Sequence, residues 1–111
     1  KKRLLRSVKL ANIQSFVESM PLGYNTRIGM EGIGLSQGQK QRILIARAIY
    51  KDPEYFFLDE ATNALDAKNE AEIMRYLQEF FEGKTVVIVA HRLCTVKNAN
   101  NIIVLADGDI V

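Results

Sequence analysis

Two short apolar runs, at residues 55–58 and 85–90, constrain the fold of this chain more than any other feature. Each run is bounded by turn-forming residues and lacks alternating polar positions, which is typical of strands buried on both faces of a sheet. A helical pattern over residues 68–82 separates the two runs. Because strands that alternate with helices form parallel sheets, we predict an α/β fold.

The rest of the chain adds two predicted helices and a further strand. Apolar side chains recur at helical spacing over residues 3–20, and a glycine-rich loop is predicted at residues 22–34. Ser36 then stands where the N-cap of a helix over residues 38–50 is expected. A third apolar run, at residues 102–105, is predicted to form another strand.

Glycines mark two further changes of chain direction. Gly83 is predicted to end the helix over residues 68–82, and residues 107–111 indicate a hairpin turn that enters a strand. Because the chain begins inside a helical pattern and ends in a strand, both ends look cut.

Composition excludes several classes of protein. The chain has 111 residues, of which 48% are hydrophobic and 25% are charged, as expected for one globular domain or a piece of one. A net charge of +2 argues against a nucleic-acid partner. Cys94 is the only cysteine, so an internal disulfide is impossible and a reducing compartment is expected. Since no apolar run approaches the ~20 residues that span a bilayer, we expect this chain itself to be soluble.

Polar residues follow the first two apolar runs. Asp59 and Glu60 come directly after the first run, and His91, the only histidine, follows the second. Ligands of open α/β sheets bind beyond the carboxyl ends of the strands, so this placement predicts a site. The alternatives are that two acids end a strand and face solvent, and that a lone histidine is structural.

A second candidate site lies at the start of the helix predicted over residues 38–50. Ser36 offers a hydroxyl, and Gly38 offers a backbone N–H that no side chain covers. The positive end of the helix dipole attracts anions, so these groups together predict a phosphate clamp. An ordinary capped helix start gives the same short pattern.

In their order along the chain, these motifs resemble those of ATP-binding cassette (ABC) ATPases. The resemblance rests on Leu35-Ser36-Gln37-Gly38-Gln39 as the signature, residues 55–60 as Walker B, Ala64-Leu65-Asp66 as the D-loop and Val89-Ala90-His91-Arg92 as the H-loop. It covers nearly the whole chain. It implies part of a P-loop NTPase parallel sheet plus the ABC α-helical subdomain, with residues 1–50 in that subdomain and residues 51–111 in the C-terminal part of a RecA-like catalytic core.

The resemblance also implies a role for each candidate residue, with ATP and Mg²⁺ as cofactors. Asp59 would hold Mg²⁺ through the water shell of the ion, which prefers oxygen ligands. Glu60 would orient and deprotonate the water that attacks the γ-phosphate, and His91 would hydrogen-bond that phosphate. The nucleotide would also be contacted by residues of the signature and the D-loop, namely Leu35, Ser36, Gln37, Gly38, Gln39 and Asp66.

Gln37 departs from the family pattern, and a later run only mimics a P-loop. Gln37 stands where the family usually has glycine, which carries a cost if the position needs a positive φ or a close backbone approach. The run Gly83-Lys84-Thr85 mimics the end of a P-loop, but Gln78 occupies the position of the required earlier glycine and the run leads from a helix to a strand. The Walker A lysine is therefore not in this chain, and we expect the isolated chain to be inactive.

Residues 20–26 and 90–93 most resemble exporter-type members of the family. This implies an ATPase that powers export of a substrate, with peptides and lipids as candidates, at the cytoplasmic face of the cell membrane. The expected partners are a transmembrane domain in the same polypeptide and a second nucleotide-binding domain, paired head to tail.

Two alternatives stay open at this point. A chromosome-maintenance or repair ATPase carries the same motifs, but such proteins place long coiled coils before the signature, and residues 1–34 show no sustained heptads. A non-enzymatic half-domain could instead supply the signature in trans to a partner that has a P-loop.

Overall fold

The first half of the chain is helical. A computed structural model describes residues 1–29 and 34–111. The glycine-rich loop predicted at residues 22–34 lies partly outside the described residues, and its described part contains a short 3₁₀ turn. The elements of this half are α1 (Lys2–Leu10), α2 (Gln14–Ser19), the 3₁₀ turn (Gly23–Asn25) and α3 (Gln37–Lys51).

The prediction of one helix over residues 3–20 is wrong, because the helix is interrupted at Asn12. Asn12 adopts a left-handed conformation with φ of 55°. Its N–H donates to the Lys9 carbonyl, and the N–H of Ile13 donates to the Val8 carbonyl, both at 3.0 Å. These two bonds and the burial of Val8 and Ile13 form a Schellman motif, which ends α1 before α2 begins.

The predicted start of the signature helix is confirmed. Ser36 is the N-cap of α3, and its hydroxyl accepts a hydrogen bond from the Gln39 N–H at 3.2 Å. In return, the Gln39 side-chain oxygen accepts from the Ser36 N–H at 2.9 Å, which completes a capping box. The helix ends at Asp52, which is left-handed.

The second half of the chain contains the parallel sheet. Strands β1 and β2 pair in parallel, with Tyr55 opposite Thr85 and Asp59 opposite Val89. A helix, α4, connects them, so the predicted α/β class is confirmed. The elements are β1 (Tyr55–Asp59), α4 (Ala67–Phe80), β2 (Thr85–Val89), α5 (Leu93–Val96), β3 (Leu105–Ala106) and β4 (Asp109–Ile110).

One face of the parallel pair is exposed, so the prediction of strands buried on both faces is wrong for the described residues. Phe56 is 4% exposed and packs edge-on against Phe80 of α4, with ring centroids 5.4 Å apart. Phe57, on the other face, is 76% exposed. The reason is that the helices of the described residues join the core on the Phe56 side.

The third predicted strand, at residues 102–105, does not extend the parallel sheet, and that prediction is also wrong. Only Leu105 of the run belongs to a strand, and β3 pairs antiparallel with β4 in a separate sheet. Asp107 and Gly108 have φ of 51° and 84°, as a two-residue type I′ turn requires. The predicted hairpin turn is confirmed, and it is this turn that sets the pairing.

Among the residues that the structure describes, one hydrophobic core joins the two halves. It is formed by twelve buried apolar side chains from α1, α2, α3, β1, α4 and their connections. None of the helices in residues 1–29 and 34–111 is long and apolar enough to cross a bilayer. The core residues are Val8, Ala11, Ile13, Val17, Ile45, Ala46, Ile49, Phe56, Leu65, Ile73, Leu77 and Phe80.

Candidate functional site

Glu60 and His91 meet at the carboxyl end of the parallel pair. Because β1 and β2 are neighbours, the residues that follow them lie side by side, and the Glu60 N–H continues the ladder by donating to the Val89 carbonyl at 2.8 Å. His91 Nε2 lies 2.5 Å from Glu60 Oε1. The His91 side chain is 81% exposed and that of Glu60 is 35% exposed, so both face the space beyond the strand ends.

Glu60 has a strained backbone that its neighbours hold in place. Its φ of 50° lies in the left-handed region, which costs a residue with a side chain roughly 1–3 kcal/mol and tends to occur at functional sites. Its carbonyl accepts from the Asn63 N–H at 3.2 Å and from Gln41 Nε2 at 3.4 Å. The conformation turns the chain sharply out of β1 and brings the Glu60 carboxylate toward His91.

Asp59 is the last residue of β1, where it pairs with Val89 and is exposed. Within the part of the chain that the structure describes, no three His, Cys, Asp or Glu side chains cluster as metal ligands. Mg²⁺ usually takes one or two carboxylates and completes its shell with water and substrate phosphates. One exposed carboxylate at a strand end therefore fits Mg²⁺ better than a metal that needs several protein ligands.

The signature residues form the cap and first turn of α3. Lys40 makes the first backbone bond of this helix, to the Ser36 carbonyl at 3.0 Å, so the N–H groups of Gln37 and Gly38 precede the helical ladder. Gln37 is helical and is not among the left-handed residues. The departure from glycine at Gln37 therefore carries no backbone strain.

Gly38 also has a packing role that the sequence did not reveal. A Cβ atom added at Gly38 would lie 3.2 Å from Leu65 Cδ2 and 3.4 Å from the Ala64 carbonyl oxygen. The missing side chain thus lets α3 approach the Ala64–Asp66 segment closely. Asp66 itself caps α4, since its Oδ1 accepts from the Asn69 N–H at 2.7 Å.

Sequence reasoning missed Gln41, which ties α3 to the Glu60 loop. Its Oε1 accepts from the Ala64 N–H at 3.0 Å, and its Nε2 donates to Asn63 Oδ1 and to the Glu60 carbonyl. Gln41 lies one turn after Gly38, on the same face of the helix. The spacing of Gly38 and Gln41 was the sequence signal that could have identified Gln41. The hydrogen-bond partners of Gln41, however, are 19 to 23 positions away in the sequence.

A buried carboxylate, Glu70, was missed as well. The residue is 2% exposed, and its Oε1 accepts from Thr62 at 2.7 Å and from Thr95 at 2.5 Å, while its Oε2 accepts from Arg92 Nη1 at 2.5 Å. Burial acts to raise the pKa of Glu70, but the hydrogen bonds from Thr95, Thr62 and Arg92 outweigh it and hold this pKa below its ordinary value.

The fold and the site define a class: a mixed α/β protein with an acid pair and a histidine at the carboxyl ends of a parallel strand pair and a capped helix start beside them. The particular family follows from comparison. Residues 3–63, more than half of the chain, match the ABC transporter family. The chain belongs to this family.

Three relatives place the chain among named transport proteins. ABC transporter B family member 13 of Arabidopsis thaliana is 47% identical over 108 residues, which are 97% of this chain and 9% of the relative. ABC multidrug transporter atrD of Emericella nidulans is 49% identical over 94% of this chain and 8% of its own length. Leukotoxin translocation ATP-binding protein LktB of Mannheimia haemolytica is 49% identical over 98% of this chain and 15% of its own length. The chain therefore spans only a small part of each relative.

Proposed function

We propose that this chain is part of an ATP-binding domain that hydrolyses ATP to drive export of a substrate across a membrane. Residues 1–50 are its signature-bearing helical part, and residues 51–111 are the C-terminal part of its catalytic core. The contact between Glu60 and His91, beside the capped start of α3, carries the proposal. The relatives' names, which specify multidrug transport and leukotoxin translocation, support export over chromosome maintenance.

Glu60 is the general base in this proposal. Its Oε1 contacts His91, which leaves Oε2, 3.5 Å from Asn63 Nδ2, to receive a proton from water. The water oxygen bonds to the γ-phosphorus, the bond from that phosphorus to the bridging oxygen of ADP breaks, and the water proton moves to Glu60. Asp59 would hold Mg²⁺ through its water shell, and the bound ion would supply positive charge to the phosphates.

His91 links Glu60 to the γ-phosphate. The exposed ring stands at the strand ends, where ligands of such sheets bind, and Nε2 already touches the Glu60 carboxylate. A neutral imidazole donates from only one nitrogen. Donation to both Glu60 and a phosphate oxygen therefore needs a shared Nε2–H or a doubly protonated ring.

The start of α3 serves the ATP of a second nucleotide-binding domain, paired head to tail. The N–H groups of Gln37 and Gly38 precede the helical ladder and add to the positive end of the helix dipole. Leu35, Ser36 and Gln39 shape this clamp, and the D-loop residue Asp66 lies exposed near it. The transmembrane domain belongs to the same polypeptide, and the assembly works at the cytoplasmic face of the membrane.

The test is Glu60→Gln in the full-length protein, with Glu54→Gln as the matched control just before β1. Removing a general base lowers turnover by about 10²- to 10⁴-fold, while the neutral isostere leaves ATP binding intact. We expect Glu60→Gln to bind ATP and lose hydrolysis, and Glu54→Gln to behave as the wild type. Wild-type hydrolysis by Glu60→Gln would rule Glu60 out as the base.

A further inference from the structure

A polar cluster built around a buried carboxylate, with an arginine that is 42% exposed, takes no direct part in the proposed hydrolysis. We define the Glu70 cluster as Thr62, Glu70, Arg92 and Thr95. Its members come from the loop after β1, from α4, from the loop after β2 and from α5. Thr62, Glu70 and Thr95 are 5%, 2% and 6% exposed. The Glu70 carboxylate of α4 therefore binds the three other segments near the carboxyl end of the parallel pair.

A buried carboxylate is costly unless it is paired with a positive charge and hydrogen-bonded. Both oxygens of Glu70 are satisfied, by two hydroxyls and one guanidinium. Burial acts to raise the pKa of Glu70, but the three hydrogen bonds outweigh burial and lower this pKa. The lowered pKa agrees with a charged, hydrogen-bonded carboxylate. A paired, hydrogen-bonded charge of this kind fixes the geometry of its partners.

Arg92 connects the Glu70 cluster to the candidate site. It directly follows His91, and its Nη1 donates both to Glu70 Oε2 at 2.5 Å and to the Leu65 carbonyl at 2.8 Å. The His91 side chain is 81% exposed, so packing does little to hold it. The anchor nearest to His91 along the chain is therefore the Arg92 guanidinium.

We propose that Arg92 and Glu70 are positioning residues for ATP hydrolysis, which clamp the His91 loop to the Leu65 segment and so keep His91 on Glu60. This inference rests on the proposed function. Because Leu65 also packs against Gly38 of α3, the same contact connects the signature helix to His91. Arg92 and Glu70 act through His91 and do not touch the nucleotide.

The test compares steady-state ATP hydrolysis by the full-length protein and its Arg92→Gln and Arg92→Lys variants. Arg92→Gln should lower kcat by about tenfold or more, because displacing a reacting group by ~1 Å can cost about 10²-fold. The KM for Mg-ATP should change by less than about twofold, because the contacts with nucleotide remain. Lysine can place one ammonium near both acceptors, so Arg92→Lys should recover part of kcat.

The matched control is Asp52→Asn, which removes one charge of the ion pair with Lys84 at 2.7 Å, beside the amino ends of β1 and β2. It should leave kcat within about twofold of the wild type, because this pair lies at the opposite ends of the strands from Glu60 and His91. If Arg92→Gln does not fold, Glu70→Gln provides the second variant, since the amide keeps the side-chain volume. It should show the same fall in kcat at constant KM.

The outcomes separate this inference from the proposed function. If Glu60→Gln and His91→Ala abolish hydrolysis while folded Arg92→Gln and Glu70→Gln keep wild-type kcat, the positioning inference fails alone. A fall in kcat that Arg92→Lys does not relieve, or one that Asp52→Asn shares, also overturns it. If His91→Ala hydrolyses ATP normally, the proposed site itself is wrong.

Discussion

Replacement of Gln41 by leucine tests the tie between the signature helix and the catalytic loop. Leucine keeps the approximate volume and the helix propensity but removes every polar contact of the side chain. The lost contacts are the acceptor for the Ala64 N–H at 3.0 Å, the donor to Asn63 and the donor to the Glu60 carbonyl at 3.4 Å. The Glu60 loop then loses its side-chain anchor on α3.

The size of the effect follows from these hydrogen bonds. Two good neutral bonds contribute about 1–3 kcal/mol, at about 0.5–1.5 kcal/mol each. Gln41 is half-buried, so water replaces part of this, and we take about 1–2 kcal/mol. If this energy holds the loop in its reacting geometry, kcat falls about 5- to 30-fold, at 1.36 kcal/mol per factor of ten.

The assay is steady-state ATP hydrolysis by the full-length protein, with Gln78→Leu as the control. Gln78 is an exposed glutamine of α4 that accepts one hydrogen bond, from Asn98 at 3.1 Å, so the same substitution is made away from the site. Gln41→Glu separates the accepted hydrogen bond from the donated ones, because a carboxylate still accepts from the Ala64 N–H but cannot donate to Asn63 or Glu60. A kcat for Gln41→Leu within about twofold of Gln78→Leu would refute the reasoning.

Three further predictions concern ligand binding, packing and pH. The isolated chain, which lacks the N–H nest and lysine of a P-loop, should bind Mg-ATP no tighter than about 1 mM, and micromolar binding by calorimetry would contradict this. Gly38→Ala should destabilise the fold in denaturant titrations, since overpacking against Leu65 costs about 1–3 kcal/mol and helix propensity returns at most about 1 kcal/mol; a stabilised variant would show that Leu65 yields freely. The lowered pKa of Glu70 means that its contribution to stability is present above the unfolded-state pKa and is lost as pH falls through the folded-state pKa. Glu70→Gln should therefore show a weaker loss of stability on acidification, measured by circular dichroism, and an unchanged acid dependence would contradict this.

Local signals in the sequence predicted what depends on local chemistry. The N-cap at Ser36 and the turn at Gly108 were predicted because their partners lie within three residues. The break at Asn12 had a signal too, since asparagine tolerates the left-handed conformation, but the helical spacing on either side hid it. Apolar composition likewise predicted β1 and β2 but not that the Phe57 face of this strand pair would be exposed.

Distant partners account for most of what the sequence did not predict. The order of the motifs placed Glu60 and His91 at one sheet edge, and the structure brings them into contact. The Glu70 cluster joins positions 8 to 25 residues apart, and nothing in the spacing of Glu70 and Arg92 distinguishes them from solvated charges. The burial of Glu70 and its ion pair with Arg92 become visible only when the loops after both strands are folded.

The left-handed backbone of Glu60 determines how a mutational scan of this position should be interpreted. Asparagine, aspartate and glycine adopt such a φ readily, whereas β-branched side chains are genuine outliers there. The activity of variants at position 60 will therefore depend on how readily each residue adopts a left-handed φ as well as on its charge. Valine or isoleucine would impair folding and chemistry together, and only glutamine keeps the shape while removing the charge. The activity measured for each variant at position 60 therefore reports both its folding and its catalysis.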